Sequence, residues 1–204
     1  MSHVKLTILY YSSTGTNYKM AAVAGEAAGE AGADVRIVRA AELAPEAAIA
    51  SNPAWKAHLE ATAEVPDASL DDIAWADAVI ISTPTRFGNV ASQLKQFLDM
   101  TGALWAQGKL TNKVVLAMTS ASNAHGGQEA TVLSLYTSMY HWGAIVVAPG
   151  YTDPSVMEAG GNPYGTSLTV DLSGHFDAKR LEAVKHQTRR VVAVADALKR
   201  GWNA

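Results

Sequence analysis

Three short polar segments, each directly after an apolar run, hold the residue types that could do chemistry. The first consists of Ser12, Ser13, Thr14, Gly15, Thr16 and Asn17. Its hydroxyls, together with main-chain N–H groups at the start of a helix, suit one terminal phosphate group. It lacks the Gly-Lys-Ser/Thr of a triphosphate-binding loop and the three-glycine dinucleotide fingerprint. The alternative interpretation is an ordinary polar turn in which Thr16 or Asn17 caps the helix.

The second segment combines a cation, an aromatic ring and a flexible turn after another apolar run. Pro84 sets the exit from the predicted strand, and Gly88 allows close approach of the backbone. Arg86 supplies a positive charge and Phe87 an aromatic wall. A planar heteroaromatic ring with acceptor atoms at its edge fits this combination. The alternative is a turn with a surface arginine and a core phenylalanine.

The third segment, Ser120–Gln128, contains small residues that admit a ligand close to the main chain. Ser122 and Asn123 can bind hydroxyls or ring atoms. His141 stands at the end of the following predicted helix, near the presumed site. Trp105 lies between two glycines and can stack over a ring, although a lone tryptophan is more often packed in the core.

The apolar pattern supplies the elements that must position these segments. Apolar runs alternate with helical periods, which predicts a doubly wound α/β domain with a parallel sheet and helices on both faces. The predicted strands are residues 5–11, 34–39, 76–83, 113–119 and 144–147, and the main predicted helices are residues 18–32, 94–101, 132–140 and 181–198. Five strands favour the order 2-1-3-4-5, in which ligands bind beyond the carboxyl ends of the strands.

Two stretches depart from this regular alternation. Residues 40–68 carry three prolines and predict short helices and loops. A glycine-rich stretch at about residues 150–175 has no regular period and is too long for a plain connector. We interpret it as an insertion into a single domain that covers residues 1–204.

Composition narrows the class of protein. The chain has 204 residues, 16 Lys and Arg against 19 Asp and Glu, and no cysteine. A net charge of −3 argues against a general nucleic-acid binder. The lack of cysteine excludes disulfides, thiolate catalysis and cysteine-ligated metal clusters. No apolar run is long enough for a membrane span and the first residues lack a signal-peptide layout, so we expect a cytoplasmic protein.

Other chemistries with similar architecture are also excluded. A receiver domain needs acidic residues after the first strand and an aspartate after the third, where this chain has Tyr-Tyr-Ser-Ser and Thr-Pro. The serine-hydrolase elbow G-x-S-x-G and the zinc motif H-E-x-x-H are both absent. We expect no metal site.

Several motifs in sequence order resemble a known family. They are Tyr10-Tyr-Ser with Gly15, Ser82-Thr-Pro-Thr-Arg-Phe-Gly-Asn89, Phe97-Leu-Asp-Met-Thr-Gly-Ala-Leu-Trp-Ala106, Gly126-Gly-Gln-Glu129, Pro149-Gly-Tyr151 and Gly160-Gly-Asn-Pro-Tyr-Gly165. Together they resemble the tryptophan-repressor-binding-protein family, the flavodoxin-like type IV NAD(P)H:quinone oxidoreductases. The resemblance runs over nearly the whole chain.

The resemblance implies a homotetramer that binds FMN and passes two electrons from NADH or NADPH to a quinone. It implies that Ser12–Asn17 hold the phosphate and that Pro84, Thr85, Arg86, Phe87 and Gly88 hold the polar edge of the ring. Ser120, Ala121, Ser122, Asn123, Gly126 and Gly127 would line the ribityl and dimethylbenzene side. Trp105 would wall the cavity, Tyr151 would touch the nicotinamide or quinone, and residues 160–165 would help close the site.

Two points of chemistry stay open. His141 would contact the flavin and is the candidate proton donor, although solvent can supply the same proton. No residue distinguishes NADH from NADPH. The predicted mechanism is a ping-pong transfer in which both substrates use one cavity.

Two other functions compete with the enzyme. The first is a flavodoxin-type one-electron carrier, which would be expected to dock through a face of one charge sign, and a net charge of −3 argues against it. The second, suggested by the family name, is an accessory binder of a transcriptional repressor, for which the charge pattern gives no support.

Overall fold

A computed structural model describes residues 3–171 and 174–202 of the chain. Within these ranges, the sheet contains β1 (Lys5–Tyr10), β2 (Asp34–Arg39), β3 (Ala78–Pro84), β4 (Val114–Ala121), β5 (Ile145–Val146) and β6 (Ser167–Thr169). All the strand pairings are parallel. The order is β2-β1-β3-β4-β5, with β6 paired to β4. The predicted fold class and strand order are therefore confirmed.

Helices cover both faces of this sheet. In the described ranges they are α1 (Thr16–Glu30), α2 (Glu46–Ala50), α3 (Pro53–Ala61), α4 (Leu70–Trp75), α5 (Ser92–Asp99), α6 (Gly102–Ala106), α7 (Gln128–Trp142), α8 (Pro154–Glu158) and α9 (Leu181–Trp202). Helices α1 and α9 pack on one face, and α4, α5 and α7 pack on the other. The short helices predicted within residues 40–68 are α2 and α3. None of these described helices is long and apolar enough to cross a membrane.

The central strands are buried on both sides, which explains their continuous apolar runs. Every residue of β3 and β4 is buried. Helix α9 buries Val184, Val191 and Ala195 at the centre of its apolar face. The apolar pattern of the predicted helix 132–140 is buried only in part, because Leu133 and Tyr140 are exposed.

The fifth strand is divided by the insertion, which the sequence pattern did not predict. Strand β5 pairs only with Val114 and Val115 of β4. The chain then leaves the sheet near Pro149, which has no N–H to donate to a ladder. It returns as β6, which pairs with Thr119–Ala121 farther along the same edge. The insertion therefore places its last residues at the carboxyl end of β4.

Candidate functional site

The three polar segments converge on one cavity at the carboxyl ends of β1, β3 and β4. Its volume is about 250 Å³. The lining residues are Ser12, Ser13, Thr14, Thr16, Asn17, Pro84, Thr85, Arg86, Ser120, Ala121, Ser122, Val170, Asp171 and Gly174. Chain segments far apart in sequence meet here because parallel strands end at the same edge of the sheet.

The first segment forms a turn that opens helix α1. Gly15 is the N-cap residue, with a φ of 98°, a left-handed conformation that favours glycine. Its N–H donates to Ser12 Oγ at 3.0 Å, which closes the turn. Thr16 and Asn17 belong to the first helical turn, so the alternative that either one caps the helix is wrong. No side chain of the described residues caps this helix, so its first N–H groups remain available to bind an anion beside the cavity that Thr16 and Asn17 line.

Asn17 ties the turn to the two central strands. Its amide Nδ2 donates to Ser82 Oγ at 3.1 Å, and its Oδ1 accepts from Ser120 Oγ at 2.7 Å. Ser82 Oγ also lies 3.2 Å from the main-chain oxygen of Asn17. The Asn17 side chain is fully buried. It therefore fixes the position of the turn relative to β3 and β4.

The second segment is held to the third through the hydroxyl of Thr85. Thr85 Oγ1 donates to the carbonyl of Gly126 at 3.2 Å and accepts from the N–H of Gly88 at 3.2 Å. Thr131 Oγ1 lies 2.8 Å from Thr85 Oγ1. The two segments touch closely, since a Cβ on Gly127 would lie 2.6 Å from Gly88 Cα. Gly88, Gly126 and Gly127 thus shape the two loops, although they do not line the cavity.

Arg86 lines the cavity, whereas the adjacent Phe87 is not among its lining residues. The Arg86 guanidinium donates to Ser13 Oγ at 3.1 Å and so bridges the first and second segments. Phe87 has a positive φ of 53° and a fully exposed ring. The alternative of a core phenylalanine is therefore wrong. An exposed aromatic ring in a strained backbone conformation is typical of a binding surface.

The third segment supplies one wall and a tight turn. Ser120, Ala121 and Ser122 line the cavity. Asn123 does not, and its Oδ1 instead accepts from the N–H of His125 at 3.0 Å. Gly126 fits against Ala121, where a Cβ on the glycine would lie 2.6 Å from the alanine Cβ.

The end of the insertion contributes a wall that sequence reasoning missed. Val170, Asp171 and Gly174 line the cavity, whereas none of residues 160–165 does. The Asp171 carboxylate accepts from the N–H of His175 at 2.9 Å. The only signal for this wall was the length of the insertion, because its contact with the cavity depends on the pairing of β6 with β4.

His141, Trp105 and Tyr151 are not brought to this cavity within one chain. His141 and Trp105 line a separate hollow of about 380 Å³ between α5, α6 and α7. The indole Nε1 of Trp105 donates to the carbonyl of His141 at 2.9 Å. Trp105 is more than half exposed, so it is not a core residue. Tyr151 is exposed on the insertion.

A larger hollow of about 430 Å³ lies at the opposite edge of the sheet. Its Lys113 amino group donates to the carbonyls of Ala74 and Ala76. Lys199 is paired with Asp77 at 2.6 Å. These groups are engaged in structural contacts, so the polar cavity remains the better candidate site. The described residues contain no group of three or more His, Asp or Glu placed to hold a metal ion.

Burial and nearby charges shift the pKa values of several titratable groups beside the Ser12–Asn17 turn. Burial raises the pKa of Tyr10 to about 12, against the lowering effect of Arg39. Burial also raises the pKa of Tyr11 well above its usual value, and the Glu42 carboxylate adds to this effect. Burial and the charge of Arg39 lower the pKa of His58, although a hydrogen bond to the Ser12 backbone opposes them.

Comparisons with known proteins identify the family of this chain. Residues 4–154 match the family model described as NADPH-dependent FMN reductase. A "NAD(P)H dehydrogenase (quinone)" of Deinococcus radiodurans is 48% identical over 96% of this chain and 97% of the relative. A "NAD(P)H dehydrogenase (quinone) 3" of Rhizobium meliloti is 42% identical over 97% of this chain and 94% of the relative.

A solved structure gives the same result for the fold. The flavodoxin, WrbA-like protein from Agrobacterium tumefaciens superposes with a TM-score of 0.65 at 21% identity, covering 95% of this chain and 98% of that one. Since the family model covers most of the chain and the relatives match it nearly end to end, this protein belongs to the NADPH-dependent FMN reductase family and has a flavodoxin-like fold.

Proposed function

We propose that this protein is a flavoprotein oxidoreductase that uses FMN to reduce quinones to quinols with electrons from NADH or NADPH. One observation carries the proposal: the Ser12–Asn17 turn, Arg86 and the Ser120–Ser122 wall meet in one cavity in a chain of this family. The names of the relatives identify the quinone as their substrate and NAD(P)H as their donor.

The donor set of the cavity fits a phosphomonoester. It combines the four hydroxyls of the Ser12–Asn17 turn, the uncapped N–H groups of α1 and the Arg86 guanidinium, and the described lining holds no lysine for a triphosphate. A volume of about 250 Å³ is below the 300–1,000 Å³ typical of complete ligand pockets. The enclosed part therefore suits the phosphate and its chain, and we assign the ring to the open rim beside Pro84–Gly88.

Each segment has a separate task in this proposal. Ser12–Asn17 bind the phosphate, while Ser120–Asn123 and the Gly126–Gly127 turn follow the ribityl chain and the dimethylbenzene side. The main chain and the guanidinium at Thr85–Gly88 bind the polar edge of the ring. Arg86 thereby stabilises negative charge at that edge.

Bound FMN would supply the two-electron hydride chemistry that links a nicotinamide donor to a quinone acceptor. The protein positions both substrates in turn at one open rim, which corresponds to a ping-pong sequence. No general acid is essential in this proposal, because solvent at an open rim can provide the proton. His141 is the alternative donor.

We further propose a homotetramer in which Trp105, His141 and Tyr151 serve the flavin site of a neighbouring copy. Within one chain, Trp105 and His141 line a hollow that shares no residue with the phosphate cavity. Their exposure is consistent with contact to another molecule. The donors NADH and NADPH and the lack of cysteine are consistent with a cytoplasmic location.

Binding of FMN to the purified protein tests the proposal directly. The flavin-free protein is mixed with excess FMN and desalted, and we expect a yellow protein with the absorbance of bound flavin. Arg86→Ala should weaken FMN binding about tenfold, as expected for loss of a charged hydrogen-bond donor. Arg189→Ala, which removes an exposed arginine paired with Glu30 on α1, should bind FMN as the wild type does. Colourless protein after desalting would contradict the proposal.

Reduction of the holoprotein separates the enzyme from the one-electron carrier. Rapid NADH- or NADPH-dependent quinone reduction, with no stable one-electron state during a reductive titration, supports the enzyme. A stable one-electron state without quinone turnover supports the carrier.

A further inference from the structure

Helix α3 attaches to the rest of the fold through a single face. None of its described residues is fully buried. Trp55 Nε1 donates to the Glu42 carboxylate at 3.0 Å, and at the other end the Arg39 guanidinium donates to the carbonyl of Thr62 at 3.0 Å. His58 lies on this face between the two anchors and is half-buried. Two long-range hydrogen bonds therefore hold His58 against the carboxyl end of β1.

The His58 ring lies beside the outer side of the Ser12–Asn17 turn. Its Nδ1 lies 3.5 Å from the position that a Cβ on Gly15 would occupy. The ring and Ser12 also line one small hollow at the end of β1. The ring packs on Tyr18 of α1 with 5.7 Å between ring centroids. A change of charge on this imidazole therefore changes the electrostatic potential at the Ser12–Asn17 turn.

The charges inside the cavity do not balance a bound phosphate. A phosphomonoester carries a charge of about −1.5 to −2 near pH 7. Of the described lining residues, Arg86 is the one cation, and Asp171 adds a carboxylate. The start of α1 adds only about +0.5. A further positive charge next to the turn would stabilise the bound phosphate.

We infer that His58 is a proton-linked positioning residue for the cofactor phosphate, taking up a proton from solvent when the phosphate enters the Ser12–Asn17 turn. This inference rests on the proposed function, because it requires FMN in that turn. It makes FMN affinity depend on pH through a residue outside the cavity.

The surroundings of His58 determine the direction of that dependence. Burial and the Arg39 charge lower its pKa below 6.5 in the flavin-free protein. The other titratable groups beside it are the phenols of Tyr10, Tyr11 and Tyr18 and the Glu42 carboxylate, which already accepts from Tyr11 and Trp55. A bound phosphate opposes the effect of Arg39 and raises the pKa of His58. Between the two pKa values FMN affinity falls as pH rises, tenfold for each unit that separates them.

The test compares FMN dissociation constants, measured by quenching of flavin fluorescence, from about pH 5.5 to pH 8.5. The proteins are the wild type, His58→Gln, and His3→Gln as a control in which an exposed histidine near the opposite edge is changed. We expect the wild-type affinity to fall about threefold to tenfold more than that of His58→Gln across this range. His3→Gln should follow the wild type. The ionisation of the phosphate itself affects all three proteins equally.

Riboflavin, which lacks the phosphate, separates charge pairing from general loosening of the turn. We expect its affinity to show the same pH dependence in the wild type and His58→Gln. Equal pH slopes for FMN in both proteins would overturn the inference while leaving the proposed function intact. A wild type that binds no FMN at any pH would overturn both. If His58→Gln does not fold, an NMR titration of the wild-type imidazole decides, since its pKa must rise when FMN is added.

Discussion

The residues that organise the surroundings of the site include one that no local pattern marks. The Glu42 carboxylate accepts hydrogen bonds from the side chains of Tyr11, Trp55 and Gln93 and from two main-chain N–H groups that follow it. The three side chains come from the end of β1, from α3 and from α5. Their sequence separations are 31, 13 and 51 residues, so spacing along the chain could not reveal them.

Glu42→Gln should destabilise the protein in a pH-dependent way. Burial alone would raise the pKa of Glu42, but the hydrogen bonds from Ala44, Gln93, Tyr11 and Trp55 outweigh it and lower the pKa below 4.5. Charged Glu42 therefore stabilises the fold above the usual glutamate pKa, and this stabilisation is lost as pH falls through the lowered value. We expect a loss of about 1–3 kcal/mol at pH 7 in urea unfolding, near the lower end because the group is partly exposed.

The control for this measurement is the exposed Glu64, whose change to glutamine should leave the free energy of unfolding within about 0.5 kcal/mol of the wild type. The gap between Glu42→Gln and the wild type should shrink as pH falls below about 4. A gap that stays constant down to pH 3 would contradict the assigned role of the charge.

Among the secondary-structure elements, the strand order could be predicted from the alternation of apolar runs and helical periods, whereas the division of the fifth strand could not. Buried parallel strands read as continuous apolar runs, and β3 and β4 were predicted for that reason. Strand β6 has three residues within a glycine-rich stretch, and it forms because the carboxyl end of β4 extends beyond β5 and offers free ladder groups. The Ser12–Asn17 turn and the Arg86 segment were predictable because they follow apolar strands. The wall at Val170–Asp171 was not predictable, because it depends on the pairing of β6 with β4.

The close contact between the second and third segments predicts how far a methyl group added at Gly127 would lower the free energy of unfolding. Gly127 has a φ of +84°, and a Cβ there would lie 2.6 Å from Gly88 Cα. Gly32 has nearly the same φ, +82°, but nothing lies within 4 Å of its Cβ position. Gly32→Ala should therefore cost about 1 kcal/mol from backbone strain alone. Gly127→Ala should cost about 1–3 kcal/mol more, because the two loops must separate.

These two variants also test whether the loops position the cofactor. Chemical denaturation gives the stability difference, and FMN titration gives affinity. We expect Gly127→Ala to bind FMN more weakly and Gly32→Ala to bind it as the wild type does. Equal losses of stability in both variants would show that the close approach of the loops has no energetic consequence.

For the whole molecule, the distribution of exposed apolar side chains favours assembly. Leu133 and Tyr140 lie seven residues apart on α7 and share its outer face. Met100 and Trp105, on the neighbouring α5–α6 region, are also exposed. In the proposed homotetramer, these exposed apolar residues on adjacent helices would form the contact surface with another copy of the chain.

The assembly is tested by placing charges on the outer face of α7. We expect the wild type to sediment at four times the mass of one chain. The double variant Leu133→Glu, Tyr140→Glu should form a smaller species, because the interface would bury two unpaired carboxylates. Leu43→Glu, at an exposed leucine away from α7, is the control and should keep the wild-type mass. Since Ser12–Asn17 and Arg86 come from one chain, the smaller species should still bind FMN. It should lose quinone turnover if Trp105 and His141 act on a neighbouring flavin, whereas an unchanged mass would exclude this face as the interface.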